Sequence, residues 1–299
     1  MNGKYITPAV TVFHENGAVD YEACAEVYEH LIGGGVDGIL ILGSIGEFFA
    51  VKMDQKKELI RRAAETIGKR VKLIVGTTSM IFDEIIELSR FAGEAGADAV
   101  MVLPPFYFPL DEEGIFRYFG KIAESLPDQQ IYLYNFPDRT GYDVTPGVTL
   151  RLAERYQNIV GYKDTQAGMD HTRELIKLVK GARPDFEIYS GFDDNFAHNV
   201  LTGGNGCIGG LSNLVPELCH SWVEAVNGGD LEKTAECQRT IDRLMSVYQV
   251  GTPFVPFIKA AMELRGIPTR GLASFPFPEV SEEEKDRIRR ILLENGILS

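Results

Sequence analysis

The 299-residue sequence contains no run of the roughly 18 to 20 uninterrupted apolar residues that a membrane-spanning helix needs. Its first residues, "MNGKYITPAV", lack the basic-then-apolar build of a secretion signal, so a cytoplasmic location is expected and a membrane partner is not. Cysteine is sparse. Cys24, Cys207, Cys219 and Cys237 stand far apart, without metal-ligand spacing, and read as reduced, packed thiols. Basic residues are outnumbered, 30 Lys and Arg against 43 Asp and Glu, for a formal net charge of −13. Such a balance repels a phosphate backbone, and no basic stripe with interleaved aromatics offsets it, which argues against nucleic acid. An anionic small molecule stays compatible, because one nearby cation outweighs a global charge screened beyond about 8 Å. The five histidines, His14, His30, His171, His198 and His220, include no two at ligand spacing. There is no HExxH, no phosphate-binding loop and no acid cluster for magnesium, so no metal is expected. "GNGCIG" (204–209) matches GxGxxG in form, but it overlaps an apolar run and lacks the helix and later acid of a dinucleotide site.

What is present is an alternation. Short β-branched runs recur at 9–13, 38–42, 72–76, 99–103, 131–135, 159–163, 186–190 and 206–210, which gives eight candidate strands. They are apolar nearly throughout, as parallel strands covered on both faces must be. Between them lie segments such as "MDQKKELIRRAAETI" (53–67) and "DEIIELSRFAGEA" (83–95), with apolar residues at i, i+3, i+4 and i+7. A fragment repeats: "GGGVDGILI" (33–41) is echoed by "EAGADAVMV" (94–102), each a helix-ending glycine, a small-Asp-small turn and a strand. Two units separate Gly35 from Gly96, so each takes about 30 residues, and eight such units predict a closed (β/α)8 TIM barrel, an α/β fold. A doubly wound sheet would start with a glycine-rich first turn, and "HENGAVD" is not one. Beyond residue 212 the pattern is helical only. The expected organisation is a barrel over 1–226 and a C-terminal helical extension over 227–299 packed on it.

Barrel chemistry sits where strands end. The strand ends present "GSIGEF" (43–48), "GTTS" (76–79), "PPFYFP" (104–109), Tyr134 with "NFPDRTG" (135–141), Lys163 with Asp164, and "SGFDD" (190–194). Lys163 is the one lysine at such an end. An inward ammonium must pair with an acid, here Asp164 or Glu47, or lose its proton. In a partly desolvated mouth its pKa can fall from about 10.4 toward about 7 or 8, which frees an amine for Schiff-base formation with a carbonyl compound. Tyr134 ends the neighbouring strand and is placed either to shuttle protons or simply to pack. "GSIGEF" has glycines that let backbone N–H groups approach a ligand and a hydroxyl at Ser44. It reads as a carboxylate cradle or as a plain tight turn.

At "GSIGE", "YNFPDRTG" and "GYKDT", in that order, the sequence resembles the dihydrodipicolinate synthase / N-acetylneuraminate lyase family of class I, Schiff-base-forming aldolases, over essentially its whole length. The resemblance implies a barrel with a helical extension, usually a homotetramer, and pyruvate or another 2-oxo acid held as a lysine imine with no separate cofactor. By position, Lys163 would form the imine, Tyr134 would donate and accept protons, and Ser44 would link that phenol into a relay. Tyr107 of "PPFYFP", an aromatic loop better suited to a subunit contact than to water, would complete it from a neighbouring subunit. The backbone around Ser44 and Ile45, with Ile208, would hold the carboxylate, and Gly191 would shape the floor. Two departures bear on the substrate. The synthases show two hydroxyl residues between the glycines of the first motif, and here the second is Ile45. Phe48, Val51 and Met53 stand where lysine-inhibited synthases carry polar contacts. "GEF", "YNFP", "KDT" and "TPFVPFIK" look like the branch that cleaves 2-keto-3-deoxy sugar acids to pyruvate and an aldehyde. Arg139 matches the arginine with which the synthases bind the carboxylate of aspartate semialdehyde, though it can also serve a sugar acid's carboxylate bidentately, or simply a neighbouring acid. Retro-aldol cleavage is therefore expected, with the synthase condensation as the alternative and a non-catalytic 2-oxo-acid-binding barrel as the alternative of another class.

Overall fold

A computed structural model describes residues 1–298; Ser299, the last residue of the expected C-terminal segment, lies outside them. Eight strands follow one another in chain order around a closed, parallel barrel: β1 (Lys4–Pro8), β2 (Gly38–Ile41), β3 (Lys72–Gly76), β4 (Ala99–Val102), β5 (Ile131–Asn135), β6 (Ile159–Asp164), β7 (Glu187–Ser190) and β8 (Gly206–Ile208). The glycines of the repeated fragment do what the repeat requires. Gly35 and Gly96 adopt φ +84 and +98, left-handed values that turn a helix end toward the next strand at no Cβ cost.

One strand differs from the sequence reading. The first ladder is "KYITP", not "AVTVF", and residues 9–13 run on beyond it, ending in an antiparallel bridge between Phe13 and Val19. From Tyr5 to Phe13 the chain is apolar almost throughout, so hydropathy alone marks no edge. The edge is set by tertiary hydrogen bonds, with Asn213 donating to the Pro8 carbonyl and accepting from the Val10 N–H.

The chain divides into two compact units, one of Met1–Lys4 with Ile74–Ile208, the other of Tyr5–Leu73 with the residues from Gly209 onward. In the second, the helices Pro216–Gly228, Leu231–Leu244, Val255–Leu264 and Glu282–Glu294 account for the helical reading of the C-terminal region. A Cβ on Gly34 would lie 2.4 Å from Pro216, so the end of the helix Tyr21–Gly33 seats directly on the start of Pro216–Gly228. Among the described residues no helix is long and apolar enough to cross a membrane.

In the first unit, β5 and β6 show how strand periodicity sorts side chains. Leu133 and Asn135 on β5, and their register partners Tyr162 and Asp164 on β6, face the helical side, where the Tyr162 hydroxyl donates to the Val144 carbonyl at 2.5 Å. The alternate residues, Tyr132 beside Gly161 and Tyr134 beside Lys163, face the interior. Gly161 makes room for the Tyr132 ring, whose hydroxyl is hydrogen-bonded to Glu187; a Cβ there would lie 2.3 Å from that ring and 2.9 Å from the Glu187 carbonyl. Gly161→Ala is therefore expected to overpack the interior and cost about 1–3 kcal/mol. A lowered thermal midpoint in a calorimetric scan would show it, and an unchanged midpoint would mean that the Tyr132 ring moves aside freely.

Candidate active site

Parallel pairing sets Tyr134 of β5 directly beside Lys163 of β6, and Lys163 in turn beside Tyr189 of β7. Residues in register on a parallel ladder point to the same side. Lys163 is only 4% exposed, as is Tyr134, and the Lys163 Nζ stands 4.3 Å from the centroid of the Tyr134 ring, over its face. The ring's π face stabilises a cation without neutralising it. Behind it, Phe136 stacks on Tyr134 with ring centroids 6.1 Å apart and planes at 24°, and the exposed Arg139 guanidinium lies 5.4 Å from the Phe136 centroid.

Both acids that could have locked Lys163 into an ion pair are engaged elsewhere. Glu47 pairs with Lys259, and both side chains are fully buried. Asp164 points to the helical side, where it accepts from Asn135 at 3.1 Å and from Thr172 at 2.6 Å and lies 2.9 Å from His171 Nδ1. Among the described residues no carboxylate pairs with Lys163. The result is a buried amine beside a phenol, a group able to form an imine with a carbonyl compound next to one able to move protons.

The strand ends carrying these two groups are tied together from behind. Asn135, next to Tyr134, also donates to Asp143 at 2.7 Å, and His171 Nε2 lies 3.1 Å from the second Asp143 oxygen. Burial alone would lower the His171 pKa, but the Asp143 and Asp164 carboxylates on either side raise it to about 9. Burial would likewise raise Asp143, yet His171 and Asn135 hold it below the usual carboxylate value. Gly191 crosses the end of β6, its N–H donating to the Asp164 carbonyl at 2.7 Å. A Cβ there would lie 2.0 Å from the Thr165 hydroxyl, so only glycine fits. That hydroxyl is buried with no hydrogen-bond partner among the described residues, which leaves a polar atom for a ligand to satisfy.

The remaining expected residues lie at other strand ends. Ser44 and Ile45 follow β2 in the second unit, half-buried and buried respectively, and Ile208 closes β8, fully buried. Tyr107 is not gathered to the Lys163–Tyr134 pair within one chain. Its ring is 85% exposed against Phe108 at 5.0 Å, and its backbone sits at φ 90, a strained value for a side chain of this size. Sequence reasoning did not single out Tyr189, Thr165, His171 or Lys259. Thr165 and Tyr189 had a usable signal, since a period of two returns Thr165 to the Lys163 side and Tyr189 ends a candidate strand. Lys259 had none, because nothing local sends a helical lysine into the interior.

The histidine bridge makes stability depend on pH. Its folded pKa of about 9 lies above the usual 6.5, so the cation's contribution is complete below about 6.5 and is lost as pH rises through about 9. The thermal midpoint should therefore fall across that window. His171→Gln should flatten the dependence and cost on the order of 3 kcal/mol at neutral pH. A variant that keeps the wild-type pH profile would show that the bridge does not titrate in this range.

Comparison with known proteins agrees with this architecture. The dihydrodipicolinate synthetase family model matches residues 1–295. Over 293 residues the chain is 37% identical to the probable 2-dehydro-3-deoxy-D-pentonate aldolase YjhH of Escherichia coli K12, covering 98% of this chain and 97% of that one. It is 35% identical to a 4-hydroxy-tetrahydrodipicolinate synthase of Kosmotoga olearia, covering 97% of each chain. The crystal structure of YagE from E. coli K12 in complex with pyruvate superposes with a TM-score of 0.96 at 35% identity, covering 100% of this chain and 99% of that one. The fold, the strand-end lysine and these matches all point one way, and the chain belongs to the dihydrodipicolinate synthetase family.

Proposed function

We propose that this enzyme is a pyruvate-dependent Schiff-base aldolase that cleaves a 2-keto-3-deoxy sugar acid to pyruvate and an aldehyde. The observation that carries the reading is the buried Lys163 amine, with no carboxylate partner, standing over the ring of its register neighbour Tyr134. Lys163 attacks the C2 ketone of the substrate. Tyr134 passes a proton to the carbinolamine oxygen, water leaves, and an iminium forms. The iminium is the electron sink, so no separate cofactor is needed. Loss of the proton from the C4 hydroxyl breaks the C3–C4 bond, the aldehyde departs, and the bond's electron pair becomes the enamine. Protonation at C3 and addition of water to the regenerated iminium release pyruvate and restore the lysine.

By their place in the family's motifs, Ser44 is assigned to the proton relay, and the backbone at Ser44 and Ile45, and Ile208 at the end of β8, to the substrate carboxylate. Gly191 and the unpartnered Thr165 hydroxyl form the floor beneath the substrate chain. The exposed Tyr107 and Phe108 suit a contact in a homotetramer, through which Tyr107 would join the relay of a neighbouring subunit. Support for the sugar-acid branch comes from the named aldolase relatives, YjhH and the putative 2-dehydro-3-deoxy-D-gluconate aldolase YagE, at 37% and 36% identity. Ile45, in place of a second hydroxyl, supports it as well.

Arg139 keeps a second reading in play, the condensation of pyruvate with aspartate semialdehyde. Its guanidinium is exposed and makes no ion pair among the described residues, so it is open to a substrate carboxylate from either reaction. Steady-state assays with both substrate classes decide between them: the sugar acid should give the higher kcat/KM, and aspartate semialdehyde leading would reverse the assignment.

Borohydride reduction in the presence of pyruvate should fix one pyruvic acid less one oxygen on the peptide carrying Lys163. Lys163→Ala should lose both adduct and turnover. Affinity for pyruvate without any adduct would identify a binding protein rather than an enzyme. Tyr134→Phe should keep pyruvate affinity while lowering kcat by about 10²- to 10⁴-fold. A smaller loss would move the proton role elsewhere.

A further inference from the structure

In the second unit, the Gly43–Gly46 turn is flanked by two non-glycine residues in left-handed conformation, Leu42 at φ 55 and Glu47 at φ 54. Such backbone is unfavourable for a residue with a side chain and persists only where its surroundings over-determine it. Most of what determines it is buried and polar. Thr11 donates to the Gly46 carbonyl at 2.6 Å, and a Cβ on Gly46 would lie 3.0 Å from the Ala9 carbonyl and 3.2 Å from the Leu42 nitrogen. The Glu47 N–H returns to the Ser44 carbonyl at 3.1 Å. The Glu47 carboxylate then binds outward with both oxygens, one to the Lys259 ammonium and the other to the Ser274 N–H at 2.6 Å. Lys259 completes its shell with the Leu272 carbonyl at 2.9 Å and the Phe13 ring face at 4.7 Å. One fully buried ion pair thus joins the helix Val255–Leu264, the 272–274 segment and the end of the first βα segment to the turn that bears Ser44 and Ile45.

A pair of this kind is a poor stabiliser. Desolvating two charges costs several kcal/mol per ion, and replacing both partners with apolar side chains is often neutral or favourable. Its value lies in geometry, since a carboxylate held by two donors and an ammonium held by three partners admit one arrangement of the strained turn. We propose that Glu47 and Lys259 are positioning residues that fix the Ser44–Ile45 backbone for the carboxylate of the 2-oxo acid, and so set the affinity for that acid. This rests on the Schiff-base reading above. Neither residue touches the reacting atoms; both act through the turn.

The test compares wild type with Lys259→Met, Glu47→Gln and the double variant Glu47→Leu/Lys259→Met. Two quantities are read: the pyruvate concentration that half-saturates borohydride trapping of Lys163, and the thermal midpoint. Each single variant should raise the half-saturating concentration by about tenfold or more, while saturating pyruvate still labels the protein fully, as expected when binding rather than chemistry is lost. The double variant should recover the wild-type midpoint or exceed it, yet keep the raised concentration. Separation of the two readouts is what a merely structural pair would not produce. Half-saturation that returns to wild type along with stability would overturn the proposal, as would single variants that saturate like wild type. A double variant that does not fold would overturn it too, because the pair would then serve stability. If wild type itself gives no adduct, the Schiff-base reading fails first and the positioning role falls with it.

Discussion

A lysine side chain buried beside an aromatic ring, with no carboxylate partner among the described residues, is the constraint around which this site is arranged. A lysine next to an aspartate in sequence and opposite a tyrosine in register could have been a closed ion pair. Strand geometry prevents it. Consecutive residues face opposite sides of a strand, so Lys163 enters the interior while Asp164 turns to the helices and meets Asn135, Thr172 and His171. The second candidate acid, Glu47, is fully occupied by Lys259. The acids are given other cations, and Lys163 is given a π face.

The same alternation divides labour between the two sides of β5 and β6. The inner side carries Tyr134 and Lys163, the phenol and the amine that stand side by side. The outer side carries Asn135 and Asp164, which hold the two strand ends in register through Asp143 and His171. A charged network on the outer side is costly only if left incomplete, and here His171, raised to about 9, supplies the positive charge that two neighbouring carboxylates require. The chemistry rests on a rigid ladder rather than on loops, as a site that must hold a near-attack geometry needs.

Relatives at 37% and 35% identity, one named as a sugar-acid aldolase and the other as a synthase, differ too little in overall similarity to separate the two reactions. What separates them is local. A keto acid is gripped by its carboxylate and its ketone, which the shared architecture provides, whereas the second half of the substrate meets only a few groups. Near Lys163 in sequence, the Thr165 hydroxyl has no hydrogen-bond partner and the Arg139 guanidinium no ion pair among the described residues, and polar groups of this kind can tell one substrate from another only by what they are left to bind.

Read without a structure, the sequence was enough for the barrel, for seven of its eight strands within a residue or two, and for Lys163 and Tyr134 as strand-end neighbours. These are properties of short-range pattern: apolar runs at regular intervals, helix-ending glycines, and a lysine where a strand stops. It misplaced β1 because a stretch that is apolar almost throughout carries no internal boundary, and that boundary is drawn by Asn213, more than two hundred residues away. It could not pair Glu47 with Lys259, bring His171 between two aspartates or leave Thr165 without a partner, since each depends on which distant segment arrives opposite. Local periodicity determined the scaffold and the strand-end lysine. Only the closed tertiary structure decided which charges would neutralise one another and left Lys163 without a carboxylate partner among the described residues.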